Sequence, residues 1–149
     1  MSTRRSDTGA SYLLDTNVIS ETRKKRPDAK VQDWLSRQPL YTQYLSVITL
    51  GELLQGAKRA RSSTQRTDLL AWLERLEQRF DRRILPIDSA VMRTWSDVTA
   101  LAIQSGQTTP LLDSLIAATA LTHHLTLVTR NTDDVQALGV KGVRGGVPR

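Results

Sequence analysis

Short apolar runs that end on an acidic residue and pass at once into a helical pattern recur along this chain, and they leave few folds open to it. The first is Tyr12-Leu13-Leu14-Asp15-Thr16-Asn17, and the second Val47-Ile48-Thr49-Leu50-Gly51-Glu52. The third is Pro110-Leu111-Leu112-Asp113, and the fourth Leu127-Val128-Thr129-Arg130-Asn131-Thr132-Asp133-Asp134. Strands that alternate with helices imply right-handed crossovers and an α/β domain with a mainly parallel sheet covered on both faces. In such a sheet the chain leaves each strand at its carboxyl end, where ligands bind. Carboxylates delivered repeatedly to that edge converge, and converging carboxylates repel one another unless a hard cation neutralises them. The pattern points to a magnesium-type site and to phosphate chemistry.

The periodicities predict strands at 11–14, 44–48, 84–87, 125–129 and 140–143. They predict helices over 17–23, 28–37 and 50–60, then a longer helix capped by Ser62-Ser63-Thr64 and carrying Leu69, Trp72, Leu73, Leu76 and Phe80 at helical spacing. Val91, Trp95, Val98 and Ala102 mark another helix that ends before Gly106, and helices are also expected over 111–122 and 132–138. Residues 1–10 are polar and aperiodic, which predicts a disordered tail before a single domain spanning 11–149. At 149 residues and 16.7 kDa, one domain with a substantial core is the default.

The absence of cysteine excludes disulfides, thiolate zinc sites and cysteine nucleophiles. No run has membrane-spanning length and no signal-peptide segment opens the chain, so a cytoplasmic protein is expected. The formal charge is +6. Residues 1–40 carry eight Lys/Arg against five acids, residues 41–83 again eight against five, and residues 84–149 five against five. The basic excess thus lies before residue 84, in Arg23-Lys24-Lys25-Arg26, in Lys58-Arg59-Ala60-Arg61 and around Arg79 to Arg83. Such clusters can be solvated helix ends. Beside an acidic metal site, a polyanionic substrate accounts for them better.

Each acid also has a structural reading. Thr49 and Glu52 fit a capping box, Asp15 or Thr16 can cap the first helix, and Asn131 with Asp133-Asp134 the last. Independent caps do not require four acids on one sheet edge. Asp113 shares a helical stripe with Ile116, Ala117 and Ala120, where an unpaired carboxylate costs several kcal/mol. His123-His124 lacks ligand spacing and reads as a helix end. Trp34, Trp72 and Trp95 read as core. Ser46 and Ser114 have no base nearby in triad order, and no phosphate-loop motif is present.

Four segments, Leu14 to Ser20, Ser46 to Gly56, Leu112 to Ala120 and Leu127 to Asn131, resemble in order and spacing the four motifs of PIN-domain ribonucleases, over residues 11–145. They are most similar to the VapC toxins of bacterial toxin–antitoxin modules, including the FitB-type branch. The resemblance implies a three-layer α/β/α fold and magnesium or manganese as cofactor. It implies endonucleolytic RNA cleavage, frequent homodimers, and neutralisation by a small VapB-like antitoxin that supplies operator DNA binding. By motif, Asp15, Glu52 and Asp113 become metal ligands, with Thr16 and Asn17 ordering the first motif. Asp134 matches the fourth acidic position. Val135 replaces the aromatic residue usual after it, which keeps Asp133 and Asn131 as alternative contributors.

Two rivals remain. Haloacid-dehalogenase-like phosphatases also place Asp after the first strand, but they need a second Asp where this chain has Asn17. A non-catalytic nucleic-acid-binding scaffold of the same fold would keep the basic surface without needing the acids.

Overall fold

The computed structural model describes residues 9–129 and 142–144. The elements run β1 (Tyr12–Leu14), α1 (Thr16–Glu21), α2 (Ala29–Arg37), a 3-10 turn (Leu40–Thr42), β2 (Gln43–Ser46), α3 (Val47–Lys58) and α4 (Ser63–Arg79). They continue with β3 (Ile84–Leu85), α5 (Ser89–Gln104), α6 (Leu111–Thr122), β4 (Thr126–Thr129) and β5 (Gly142–Arg144). The sheet order is β3-β2-β1-β4-β5, and every pairing is parallel. The order departs from β1 in both directions, so the crevice expected for a ligand lies beside the β1 carboxyl end.

Adjacent residues of a strand face opposite sides of a sheet, and β1 shows why this makes three layers. Leu14 joins Val18, Ile19, Val31, Trp34, Leu45, Leu73, Leu76, Phe80 and Val128 on one face, under α1 to α4. Leu13 and Leu127 join Ala102, Ile116, Ala117 and Ala120 on the other, under α5 and α6. Ala117, Ala118 and Ala120 are fully buried. With so little side chain on that face, α6 lies close against the strands.

Several caps fall where the sequence places them. Asp28 accepts from the Lys30 and Val31 amides at the start of α2, and Ser62 Oγ accepts from Gln65 to start α4. Helix α5 ends in a reverse turn on Gly106 at φ +76°, with Gly106 N–H donating to the Ile103 carbonyl and Gln107 N–H to that of Ala102. His123 and His124 close α6 in the same way, as expected of a helix end: His124 takes φ +57° and Leu125 N–H donates to the Ala120 carbonyl.

One boundary is corrected. The apolar stretch ending at Ile48 was expected to be strand, yet β2 stops at Ser46 and Val47 already begins α3. The buried Ser46 side chain accepts from the Ile48 amide and turns the chain into a helix whose first residues are β-branched. Residues 1–8 of the expected tail over 1–10, and the short helix expected over 132–138, lie outside the described residues. No helix among them is long and apolar enough to cross a membrane.

Candidate active site at the carboxyl edge of the sheet

Asp15 is the first residue beyond β1 and the N-cap of α1. The backbone holds it in the sheet register, since its N–H donates to the Val128 carbonyl at 3.0 Å. Both carboxylate oxygens are oriented. Oδ1 accepts from Thr16 N–H at 2.7 Å, and Oδ2 accepts from the Thr129 hydroxyl at 2.7 Å. Thr129 ends β4 and is 1 % exposed, so this second bond fixes the carboxylate across the two strands that flank the crevice. The capping alternative for Asp15 is therefore realised together with its place in the site.

Glu52 arrives from α3. Its Oε1 accepts from the Thr16 hydroxyl at 2.5 Å, and Thr16 Oγ1 lies 3.0 Å from Thr49 Oγ1. A hydroxyl has one proton to give. With that proton committed to the Glu52 carboxylate, the fully buried Thr49 hydroxyl is the donor to Thr16. Thr16 thus reaches two acids, Asp15 through its amide and Glu52 through its side chain. The capping box expected at Thr49 and Glu52 is not formed: Ser46 caps α3, and Glu52 turns to Thr16 instead. Thr49 and Glu52 are three residues apart and so share the helix face that looks at α1.

Among the described residues, the side-chain oxygens of these two acids accept from neutral O–H and N–H donors. Neutral donors orient a carboxylate without cancelling its charge, and the remaining lone pairs stay open to a cation. The atoms these acids offer a cation are hard carboxylate oxygens, the set that suits Mg²⁺ or Mn²⁺.

Asp113 lies in the first turn of α6 and is partly exposed, while its stripe mates Ile116, Ala117 and Ala120 are buried. An acid at that position is favoured by the helix dipole without any metal. Among the described residues, no three Asp, Glu or His side chains are grouped closely enough to hold a metal ion. The structure joins Asp15 to Glu52 through Thr16. Asp134, Asp133 and Asn131 lie outside the described residues. Asn17 is exposed on α1 and makes no hydrogen bond to the cluster.

Sequence reasoning missed Thr129 and misassigned Thr49. The signal for Thr129 was its position as the last residue of an apolar strand, level with Asp15 once β1 and β4 pair in register. Ser114, set aside as a nucleophile, accepts from the Trp95 indole at 2.8 Å and donates to the Leu111 carbonyl, tying α5 to α6.

Comparison with known proteins agrees with this arrangement. The family model described as the PIN domain matches residues 12–139. The toxin FitB of Neisseria gonorrhoeae is 39 % identical over 132 residues, covering 86 % of this chain and 93 % of that protein. The VapC ribonuclease Y4jK of Sinorhizobium fredii is 38 % identical over 129 residues, covering 86 % and 92 %. Among solved structures, FitAcB from Neisseria gonorrhoeae superposes with a TM-score of 0.87 at 36 % identity, covering 90 % of this chain and 97 % of that one. FitAB bound to the IR36 DNA fragment gives 0.86 at 33 %, covering 91 % and 95 %. With the motif residues of β1, α3 and β4 meeting at one sheet edge, the chain belongs to the PIN-domain family.

Proposed function

We propose that this chain is a metal-dependent endoribonuclease that acts as the toxin of a toxin–antitoxin module. The observation that carries the reading is the hydrogen-bonded cluster of Asp15, Thr16, Thr49, Glu52 and Thr129, which presents two oriented carboxylates, unpaired with any cation among the described residues, at the crevice. Relatives named as a VapC ribonuclease and as the toxin FitB supply the substrate class and the biological role.

Asp15 and Glu52 would hold Mg²⁺ or Mn²⁺, joined by Asp113 and by Asp134 from the fourth motif. When bound, such an ion polarises a phosphodiester and offsets the charge that builds on its oxygens. The chain's own work is orientation. Thr129 and the Thr16 amide fix the Asp15 carboxylate, and Thr16 with Thr49 behind it fixes Glu52. Among the described residues no side chain is placed as a nucleophile, so water is the attacking group, and hydrolysis leaves a 5′-phosphate and a 3′-hydroxyl. Cations before residue 84 hold the RNA backbone against an acidic crevice.

The partner follows from the company the relatives keep. A toxin relative, and the FitAB assembly solved on DNA, support a small antitoxin that brings operator binding to this chain, which has no evident DNA-reading motif of its own. A non-catalytic nucleic-acid-binding scaffold is the second reading, since among the described residues no three Asp, Glu or His side chains are grouped closely enough to hold a metal ion. Incubating the purified chain with total RNA, with and without chelator, and mapping the new 5′ ends separates the two. Cleavage that needs Mg²⁺ or Mn²⁺ and yields 5′-phosphates supports the nuclease. Intact RNA, or 2′,3′-cyclic phosphate ends, refutes the proposed chemistry.

A further inference from the structure

We infer that the turn between α1 and α2, Arg23-Lys24-Lys25-Arg26, is the principal contact for the RNA backbone; this rests on the ribonuclease reading above. All four side chains are exposed. Lys24 pairs with Glu21 at 3.0 Å, and no ion pair to Arg23, Lys25 or Arg26 is found among the described residues. Three adjacent cations therefore remain available to a polyanion.

The turn is also held in place, which a merely solvated helix end need not be. Glu21 is 6 % exposed at the end of α1. Its Oε1 accepts from Lys24 Nζ at 3.0 Å, and its Oε2 accepts from the Asp28 amide at 3.0 Å, so one carboxylate closes a loop seven residues long. Amides of Thr22, Arg23 and Lys24 donate to the Ile19, Ser20 and Glu21 carbonyls, and Pro27 follows. The Arg23 guanidinium lies 6.0 Å from the centre of the Trp72 ring on α4. The cations are thus presented from a fixed base.

Anchoring without loss of charge separates this cluster from the other two. Helix α1 is six residues long, so its turn stands about 9 Å along the axis from Asp15. Lys58 ends the twelve-residue α3 and Arg59 and Arg61 follow it, about 9 Å along that axis from Glu52, but no side-chain hydrogen bond or ring contact holds these three among the described residues. In the third cluster, Arg83 is committed to the Gln43 and Arg79 carbonyls and lies 5.5 Å from the Phe80 ring centre. Gln43 opens β2, so this cluster sits at the opposite, amino edge of the sheet.

Counterion release makes the assignment measurable, because each phosphate contact on a single strand contributes about −0.7 to the slope of log K against log salt. The experiment measures binding of a fluorescein-labelled single-stranded RNA of mixed sequence by anisotropy, in EDTA to prevent cleavage, across a salt series. The variant Arg23→Gln/Lys25→Gln/Arg26→Gln leaves Lys24 to pair with the buried Glu21. It is expected to flatten the slope by about 2, three contacts at 0.7 each. Lys25→Gln/Arg26→Gln, which spares the Arg23–Trp72 contact, is expected to flatten it by about 1.4. Lys58→Gln/Arg59→Gln/Arg61→Gln removes equal charge and is expected to change it by less than half as much. An unchanged slope in the first variant, or equal changes in the two triple variants, overturns the inference. A change seen only with duplex DNA also overturns it. Wild-type cleavage in Mg²⁺ is scored separately: cleavage with no slope change sinks the turn alone, whereas no binding and no cleavage sinks both readings.

Discussion

Replacing Thr129 by Val tests the architecture of the site at its most buried contact. Valine nearly matches threonine in shape and suits a strand, so the change removes the hydroxyl and leaves no cavity to collapse. What is lost is a 2.7 Å hydrogen bond from a side chain 1 % exposed to a carboxylate. Hydrogen bonds to charged groups contribute about 1.5–3 kcal/mol. Asp15 keeps its bond from Thr16 N–H, so a loss near the lower half of that range, about 2 kcal/mol, is expected. In a domain of this size each kcal/mol shifts Tm by about 2–4 °C, which makes the expected fall about 4–8 °C. Urea titration should show a lower midpoint at unchanged m. Combined with Asp15→Ala in a double-mutant cycle, Thr129→Val should show a coupling of at least about 1 kcal/mol. RNA cleavage should drop about 10–100-fold, as when an outer-shell partner of a metal ligand is removed. Thr129→Ser, which restores the hydroxyl, should recover most of the activity. Coupling below about 0.5 kcal/mol, or a serine variant as inactive as the valine one, would show that this hydroxyl does not orient Asp15.

Asp113→Asn is expected to abolish RNA cleavage while the far-UV spectrum stays that of wild type. Retained cleavage would remove Asp113 from the site, and loss of the fold would make it a structural residue. Chelator should silence the enzyme, and Mg²⁺ or Mn²⁺ should restore it better than softer ions, as judged by gel assay. Ser114→Ala strands the Trp95 indole N–H and should cost about 1–3 kcal/mol in urea titration, with RNA cleavage at wild-type levels per folded molecule.

Elements were most legible where periodicity and capping chemistry agreed. Helix α6 was read from Leu111 to Thr122 as the structure has it, and Ser62 starts α4 as its position before the periodic Leu and Trp residues suggested. The end of β2 was not legible, because Val47 and Ile48 carry the β-branched composition of a strand and only the buried Ser46 cap decides against it. Asp15 and Glu52 could be found because each punctuates an apolar run. Their connection through Thr16 could not, since a sequence shows which residues leave a strand end and not which hydroxyl reaches across the gap. Thr129 shows the same limit from the other side. Its importance arises only from pairing with a strand more than a hundred positions away, and local spacing carries no trace of that. Asp113 is partly exposed, whereas its stripe mates Ile116, Ala117 and Ala120 are buried.

The bond between residues 15 and 129 also sets when in its own synthesis the protein becomes dangerous. Asp15, Thr16, Thr49 and Glu52 are all made early, but the partner that steadies Asp15 belongs to β4, and β1 cannot pair with β4 until that strand has been translated. Seventy-seven residues separate Glu52 from Thr129. At about 5–20 residues per second, roughly 4–15 s of translation pass between them. During that interval the nascent chain carries its acids without the scaffold that aims them. A ribosome making this protein is thus shielded from its product until β4 has been made.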